Sequence, residues 1–99
     1  MATDAPIVGG VVTLLATDSA QQLDTTDTPC RQLSIRSHLD NEEISIGHSD
    51  VDAATRFAFL LELENYTIGP FPAGQGVRPC DIYFSGAQGD AVTWSGYKW

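Results

Sequence analysis

The sequence predicts an all-β protein, a β-sandwich or jelly roll of seven to eight short antiparallel strands, in a single domain over residues 1–99. Three observations predict it. Apolar and polar residues alternate with a period of two in several short runs, the pattern of half-buried strands. Clusters of Asp, Thr, Gly and Pro separate the runs, and each of these residue types favours a turn for its own steric or hydrogen-bonding reason. The runs recur about every 8–12 residues, a spacing typical of sandwiches and barrels.

Residues 1–10 read as an extended N-terminal arm that ends at Gly9-Gly10, and Val11 to Ala16 as the first apolar, β-branched run. Asp24 to Pro29 is turn chemistry. From Cys30 to Arg36, Leu33 and Ile35 point one way and Gln32, Ser34 and Arg36 the other. Asp40-Asn41 signals a turn, Ile44 and Ile46 resume the alternation, and Gly47 ends it. Two patterns compete after that. Ser49 and Asp52 have the spacing of a helix capping box, with Val51, Ala54, Ala58 and Leu61 at helical intervals. Phe57, Phe59, Leu61 and Leu63 alternate with Arg56, Ala58, Leu60 and Glu62, and their aromatics favour a strand, which is the expectation here. Tyr66 to Phe71 is strand-like, with Tyr66 and Ile68 inward and Pro70 marking a strand end. Ile82 and Phe84 share one face of the next run. Gly89-Asp90 turns the chain, and Val92 and Trp94 share a face of the last run.

Thirteen acidic residues against five basic ones give a net charge of −8. Phosphate binding needs clustered Lys and Arg, whereas Arg31, Arg36, Arg56 and Arg78 are scattered and Lys98 is the one lysine. Nucleic acid and anionic membrane surfaces are therefore not expected partners. The charge suits a partner with a basic face. No apolar run is long enough to span a bilayer, and Met1 to Val12 lacks the basic start of a signal peptide. Cys30 and Cys80 are expected as reduced, buried thiols, with a late disulfide as the alternative. Two cysteines without a CxxC spacing do not make a zinc site.

No catalytic constellation is legible, so the chain is expected not to be an enzyme and to carry no cofactor or metal. His48, Ser49 and Asp50 are neighbours in sequence, but adjacent strand residues point to opposite faces. His48, Asp50 and Asp52 lie two residues apart and would share one strand face, yet the further oxygen ligands of a calcium loop are missing. Turn-forming residues in a solvated loop are the plainer reading. Glu62 and Glu64 have the chemistry of a glycosidase pair but read more simply as a wet strand face or a turn.

The C-terminal aromatics Trp94, Tyr97 and Trp99 fall within six residues and are the candidate partner-contact residues. They also have the composition of a strand locked over the core. Stacking on sugar rings would require two of them side by side on one exposed sheet face.

From Thr28-Pro29-Cys30-Arg31 onward the chain resembles small virion structural proteins of tailed bacteriophages. The likeness is carried by Gln22-Leu23, by Thr28 to Arg31 and the alternating strand behind it, by Ile44 to Gly47, and by Ser49-Asp50-Val51. Asp81-Ile82-Tyr83-Phe84 and Gly89-Asp90-x-Val92 extend it, so that it covers Gln22 to Trp94. The sequence departs from that pattern at Phe57 to Glu64, where Leu-Glu-Leu-Glu stands in place of a Pro-Gly turn. The resemblance implies a non-enzymatic capsid decoration or cement protein, located in the virion after synthesis in the bacterial cytoplasm. It implies binding to the major capsid protein or another virion protein, as a homo-oligomer with a trimer favoured. Exposed strand edges in a chain this small agree with that, because edges paired by neighbouring subunits no longer invite aggregation. The alternatives are another virion component (a head-fibre base, a tail or baseplate module) and a carbohydrate-binding β-sandwich.

Overall fold

The computed structural model describes residues 7–52, 54–73 and 75–98. The strands among them are β1 (Ile7–Thr13), β2 (Gln21–Gln22), β3 (Cys30–Ser37), β4 (Ile44–Gly47), β5 (Ala58–Leu60), β6 (Asn65–Ile68), β7 (Tyr83–Ser85) and β8 (Ala91–Lys98). They form two four-stranded sheets, one in the order β1-β8-β3-β6 and the other in the order β2-β7-β4-β5. Every pairing is antiparallel, and the pairs β1–β8, β2–β7, β3–β6 and β4–β5 nest inside one another along the chain. The described chain is thus an all-β sandwich. A single 3₁₀ turn, Pro79–Asp81, is its one helical element among the described residues.

The core lies between the sheets and is built by the alternation. Leu33 and Ile35 of β3 and Val92 and Trp94 of β8 meet Ile44 and Ile46 of β4, Leu60 of β5 and Phe84 of β7. Leu14, Leu23 and Ile82, each beside a strand end, close the cluster. Full burial of one such side chain stabilises the fold by about 1.5–3 kcal/mol. Ser37, at the end of β3, is a buried polar residue, as are Ser45 and Ser85. Ser37 is fully buried, and its hydroxyl accepts a hydrogen bond from Asn41 Nδ2 at 2.8 Å. The same amide nitrogen donates to the Ala91 carbonyl at 2.6 Å, and Asn41 Oδ1 accepts the Ala91 N–H at 3.1 Å. The Asp40-Asn41 turn, with Asp40 in the left-handed region at φ 65°, is thereby pinned to the start of β8.

Two local expectations need correcting, and one competing reading falls away. The first strand begins at Ile7, not Val11, so residues 7–10 of the expected arm pair with β8, while residues 1–6 lie outside the described residues. Gly9 is the reason. A Cβ there would stand 2.4 Å from the Trp94 carbonyl oxygen, so the glycine permits close strand approach and does not break the strand. Second, the competing helical reading at Ser49 and Asp52 is not taken up, and a turn stands at Asp52. Its carboxylate accepts the N–H groups of Ala54 (2.7 Å) and Thr55 (3.0 Å) and the Thr55 hydroxyl, which closes a turn. Third, β5 presents the opposite face from the one its aromatics suggest. Leu60 is 3% exposed and Ala58 packs on the core, whereas Phe57, Phe59, Leu61 and Leu63 are 43–50% exposed.

Candidate functional site

The candidate site is the flank of the sandwich on which β5 and β6 are the outermost strands. Among the described residues β5 pairs with β4 alone and β6 with β3 alone, so both margins end in backbone without a further strand. Phe59 lies opposite Ser45 on the outer face of its sheet, because Leu60 and Ala58 take the inner one. Phe57 packs against His48, with ring centroids 5.6 Å apart and an edge-on geometry, and against Tyr66 of β6 at 6.0 Å. Leu61 and Leu63 follow in the turn to β6, where Leu63 adopts φ 63°. A leucine in the left-handed region is uncommon. The surroundings hold it there: Leu63 N–H donates to the Ser37 carbonyl at 3.1 Å, and Ser37 N–H donates to the Glu64 carbonyl at 2.9 Å.

Carboxylates and one arginine frame the apolar row. The Arg56 guanidinium stands 4.3 Å from the centre of the Phe59 ring, and it is ion-paired with Glu43. Glu62 accepts the Asp40 N–H at 2.9 Å and Glu64 accepts the Leu61 N–H at 2.7 Å. These two glutamates, which have the chemistry of a hydrolytic pair, act here as acceptors for turn backbone. Leu39, beside Asp40, is also exposed.

The C-terminal aromatics are split between the two sides of β8. Trp94 is 3% exposed and belongs to the core, so its ring offers nothing to a partner in this fold. Tyr97 is at the surface, opposite Ile7 of β1, with the Arg31 guanidinium 5.9 Å from its ring centre. An odd spacing along a strand sends the two rings to opposite faces. Trp99 lies outside the described residues. The sequence named this terminal cluster and did not single out Phe57 to Leu63 as a surface. The signal that points to that surface is Leu60, a large apolar residue in the half of the alternation that reads as polar.

The remaining candidates have structural surroundings. His38 Nε2 shares a 2.6 Å hydrogen bond with the Thr93 hydroxyl. Asp50 uses its carbonyl to accept from the Thr55 hydroxyl, and backbone N–H donors hold the Asp52 carboxyl below the usual aspartate range. Among the described residues no group of three or more His, Cys, Asp or Glu side chains is placed to hold a metal ion. Both cysteines are free thiols. Cys30 is buried, and that burial pushes its thiol pKa up, with Lys98 opposing. Cys80 is half-buried. Desolvation raises its pKa first, followed by the hydrogen bond to Asp27 at 3.4 Å and the charges of Asp81 and Asp27. A groove of about 920 Å³ lies between Ile68, Phe71 and Val77, with Arg78 and Asp81 in its lining. Arg78 stands 3.3 Å from Asp27.

No family model, no curated protein and no solved structure matches this chain.

Proposed function

We propose that the chain is a non-enzymatic structural subunit of a tailed-phage virion, a capsid decoration or cement protein that stabilises the shell by binding the major capsid protein. It works as a homo-oligomer, with a trimer the favoured form. The observation that carries the structural-subunit reading is the row of Phe57, Phe59, Leu61 and Leu63, each about half exposed along one margin of the sandwich. Single exposed apolar residues are ordinary, but four in one short segment on a strand edge are the composition of a contact surface. The phage setting comes from the sequence resemblance alone. The nesting of β1–β8, β2–β7, β3–β6 and β4–β5 is compatible with a jelly roll, an architecture that capsid domains and lectins both use. Fold by itself assigns no function, so the nesting supports the reading only alongside the apolar margin. The sugar-binding alternative has less support, since the described aromatics of the C-terminal cluster do not share a face.

Sedimentation with purified phage particles tests the proposal. The chain is expected to travel with heads and not with detached tails, and heads stripped of it should rupture at a lower temperature or under milder osmotic shock. Sedimentation with tails alone would move it to the tail or baseplate. Binding to neither would remove the virion reading.

A further inference from the structure

On the flank opposite β5 and β6, β1 is the outermost strand of its sheet, and the hydrogen-bonding groups on its free edge can be assigned one by one. Leu14 N–H donates to the Asp90 carbonyl at 2.8 Å, in line with the β1–β8 register. Backbone groups alternate sides along a strand. Val8, Gly10 and Val12 therefore bond toward β8, and Ile7, Gly9, Val11 and Thr13 turn their N–H and C=O groups to the open side. Gln21 agrees with this at the Thr13 end. Its side-chain amide donates to the Thr13 carbonyl at 2.9 Å, and its Oε1 accepts the Leu15 N–H at 2.9 Å. One side-chain amide thus occupies the edge as a peptide unit of a neighbouring strand would. Among the described residues nothing does the same for Ile7, Gly9 and Val11.

The edge is also unguarded. Ile7–Thr13 holds no charged residue and no proline, the devices that commonly blunt an edge strand. It is seven residues long, against two to four in the other outermost strands, β2, β5 and β6. Val8 and Val12 pack on the core, so Ile7 and Val11 stand on the outer face, and both are at least half exposed.

We infer that β1 of a second copy pairs antiparallel with this edge, about a twofold axis at Gly9. The register follows from which groups are free. Centred on Gly9, the pairing sets Ile7 opposite the partner's Val11 and Gly9 opposite the partner's Gly9, and each such pair exchanges both its N–H···O bonds. A shift toward Thr13 would need the carbonyl that Gln21 already holds. Ile7 and the partner's Val11 then cover each other on the outer face. Charge favours the same arrangement. The row through the axis is Gly9, Ser95, Ser34 and Thr67, aligned across β1, β8, β3 and β6, and none of these is charged. Two chains of net charge −8 can therefore meet there without setting an acid against its own copy. Among the described residues, Arg31 and Lys98 flank the Ile7 end of the strand, and Asp18 and Asp90 flank the Thr13 end. Lys98 and Asp90 are an even number of residues apart and share a face. An antiparallel pair turns each end toward its opposite in sign, whereas a parallel pair would set like against like. The contact is isologous and closes as a dimer. It stands apart from the virion setting, it differs from the trimer that the resemblance favours, and it leaves the β5 row open to another protein.

Amide hydrogen exchange of the full chain, dilute and concentrated, tests it alongside sedimentation. In the dilute monomer Gly9 and Val11 N–H should exchange freely, and Gly10 and Val12, bonded to β8, slowly. At high concentration the chain should sediment as a dimer, with exchange at Gly9 and Val11 slowed by roughly tenfold or more and Gly10 and Val12 little changed. Val11→Pro removes an N–H on the open side and no bond to β8, so the chain should still fold, as circular dichroism checks, while dimerisation weakens by roughly tenfold or more. Val11→Lys, a guard of the kind natural edges carry, serves instead if proline compromises folding. An oligomer in which Gly9 and Val11 still exchange freely would overturn the pairing. So would a native chain that stays monomeric at every concentration, or a folded variant that dimerises like the native chain. Slowing at Gly9 and Val11 that appears only when phage heads are added would give the edge to a foreign strand and overturn the second copy. The two readings fail separately: a monomer that binds heads sinks the dimer alone, whereas a dimer joined at β1 that ignores heads and tails sinks the virion assignment alone.

Discussion

The guanidinium of Arg56 stands 4.3 Å from the centre of the Phe59 ring while ion-paired with Glu43, so a single side chain joins the apolar row to its acidic border. Leu60, the next residue after Phe59, points the other way into the core. Adjacent residues of one three-residue strand thus serve the fold and the surface separately, and substitutions at the two positions should divide accordingly.

Leu60→Ala should destabilise the chain by about 2–5 kcal/mol, because it removes a buried side chain and leaves a cavity. Phe59→Ala should cost no more than about 1 kcal/mol, the scale of a surface contact plus an exposed cation–π pair. Urea unfolding of both variants checks the contrast. Equal losses would mean that the outward placement of Phe59 is incorrect.

Asn41→Ala should cost about 2–3 kcal/mol. It strips the buried Ser37 hydroxyl of its hydrogen-bond donor and removes both contacts to the Ala91 backbone, and stranded buried polar groups carry their full desolvation penalty. The measurement is the shift in thermal midpoint. Asn41→Asp, which keeps an acceptor for Ala91 N–H but loses both donor contacts, should fall between the wild type and the alanine variant.

Gly96→Ala should destabilise by roughly 1–3 kcal/mol, since its new Cβ would lie 2.8 Å from the Cys30 sulfur in a fully buried site. Removing that sulfur with Cys30→Ala should relieve the crowding. The double variant is then expected to be more stable than the sum of the two single losses allows, a coupling that a double-mutant cycle reads directly.

β3, β4, β7 and β8 were legible because their apolar sets are unambiguous. In Cys30–Ser37 only Leu33 and Ile35 alternate as large apolar residues, and in β8 Val92 and Trp94 do the same. The segment from Phe57 to Leu63 was legible in period but not in facing. Apolar residues occupy both halves of its alternation, and a shift of one residue exchanges core for solvent. Tertiary demand decided the matter: β4 needs a partner whose inward residues fit against Ile44 and Ile46, and Ala58 and Leu60 do. The extension of the first strand back to Ile7 was hidden for another reason. Gly9-Gly10 has turn composition, and only the closeness of the Trp94 backbone shows why a strand needs a glycine there.

The thiols should react in a fixed order. Cys80, half-buried beside Asp27, should be alkylated slowly in the native protein, and Cys30 only on unfolding. Both thiol pKa values are raised, so folding disfavours each thiolate. The rate for Cys80 should therefore rise at a pH above the ordinary thiol value of about 8.5, and stability should decline as pH climbs past that value. Asp52 acts in the acid range with the opposite sign. Its folded pKa is lowered, so its contribution is complete above the unfolded value of about 3.9 and is lost as pH falls through the lower folded one. Asp52→Ala should flatten the stability profile in that window, as followed by unfolding midpoints at successive pH values.

The measurement that bears most directly on the central claim is hydroxyl-radical footprinting of the chain, free and dilute versus assembled in the virion, with mass spectrometry reading each side chain. Protection should appear at Phe57, Phe59, Leu61 and Leu63 on assembly, whereas Leu60, already shielded in the free chain, should not change. Undiminished labelling of those four residues in the assembled material would contradict the account, because the exposed margin would then join nothing.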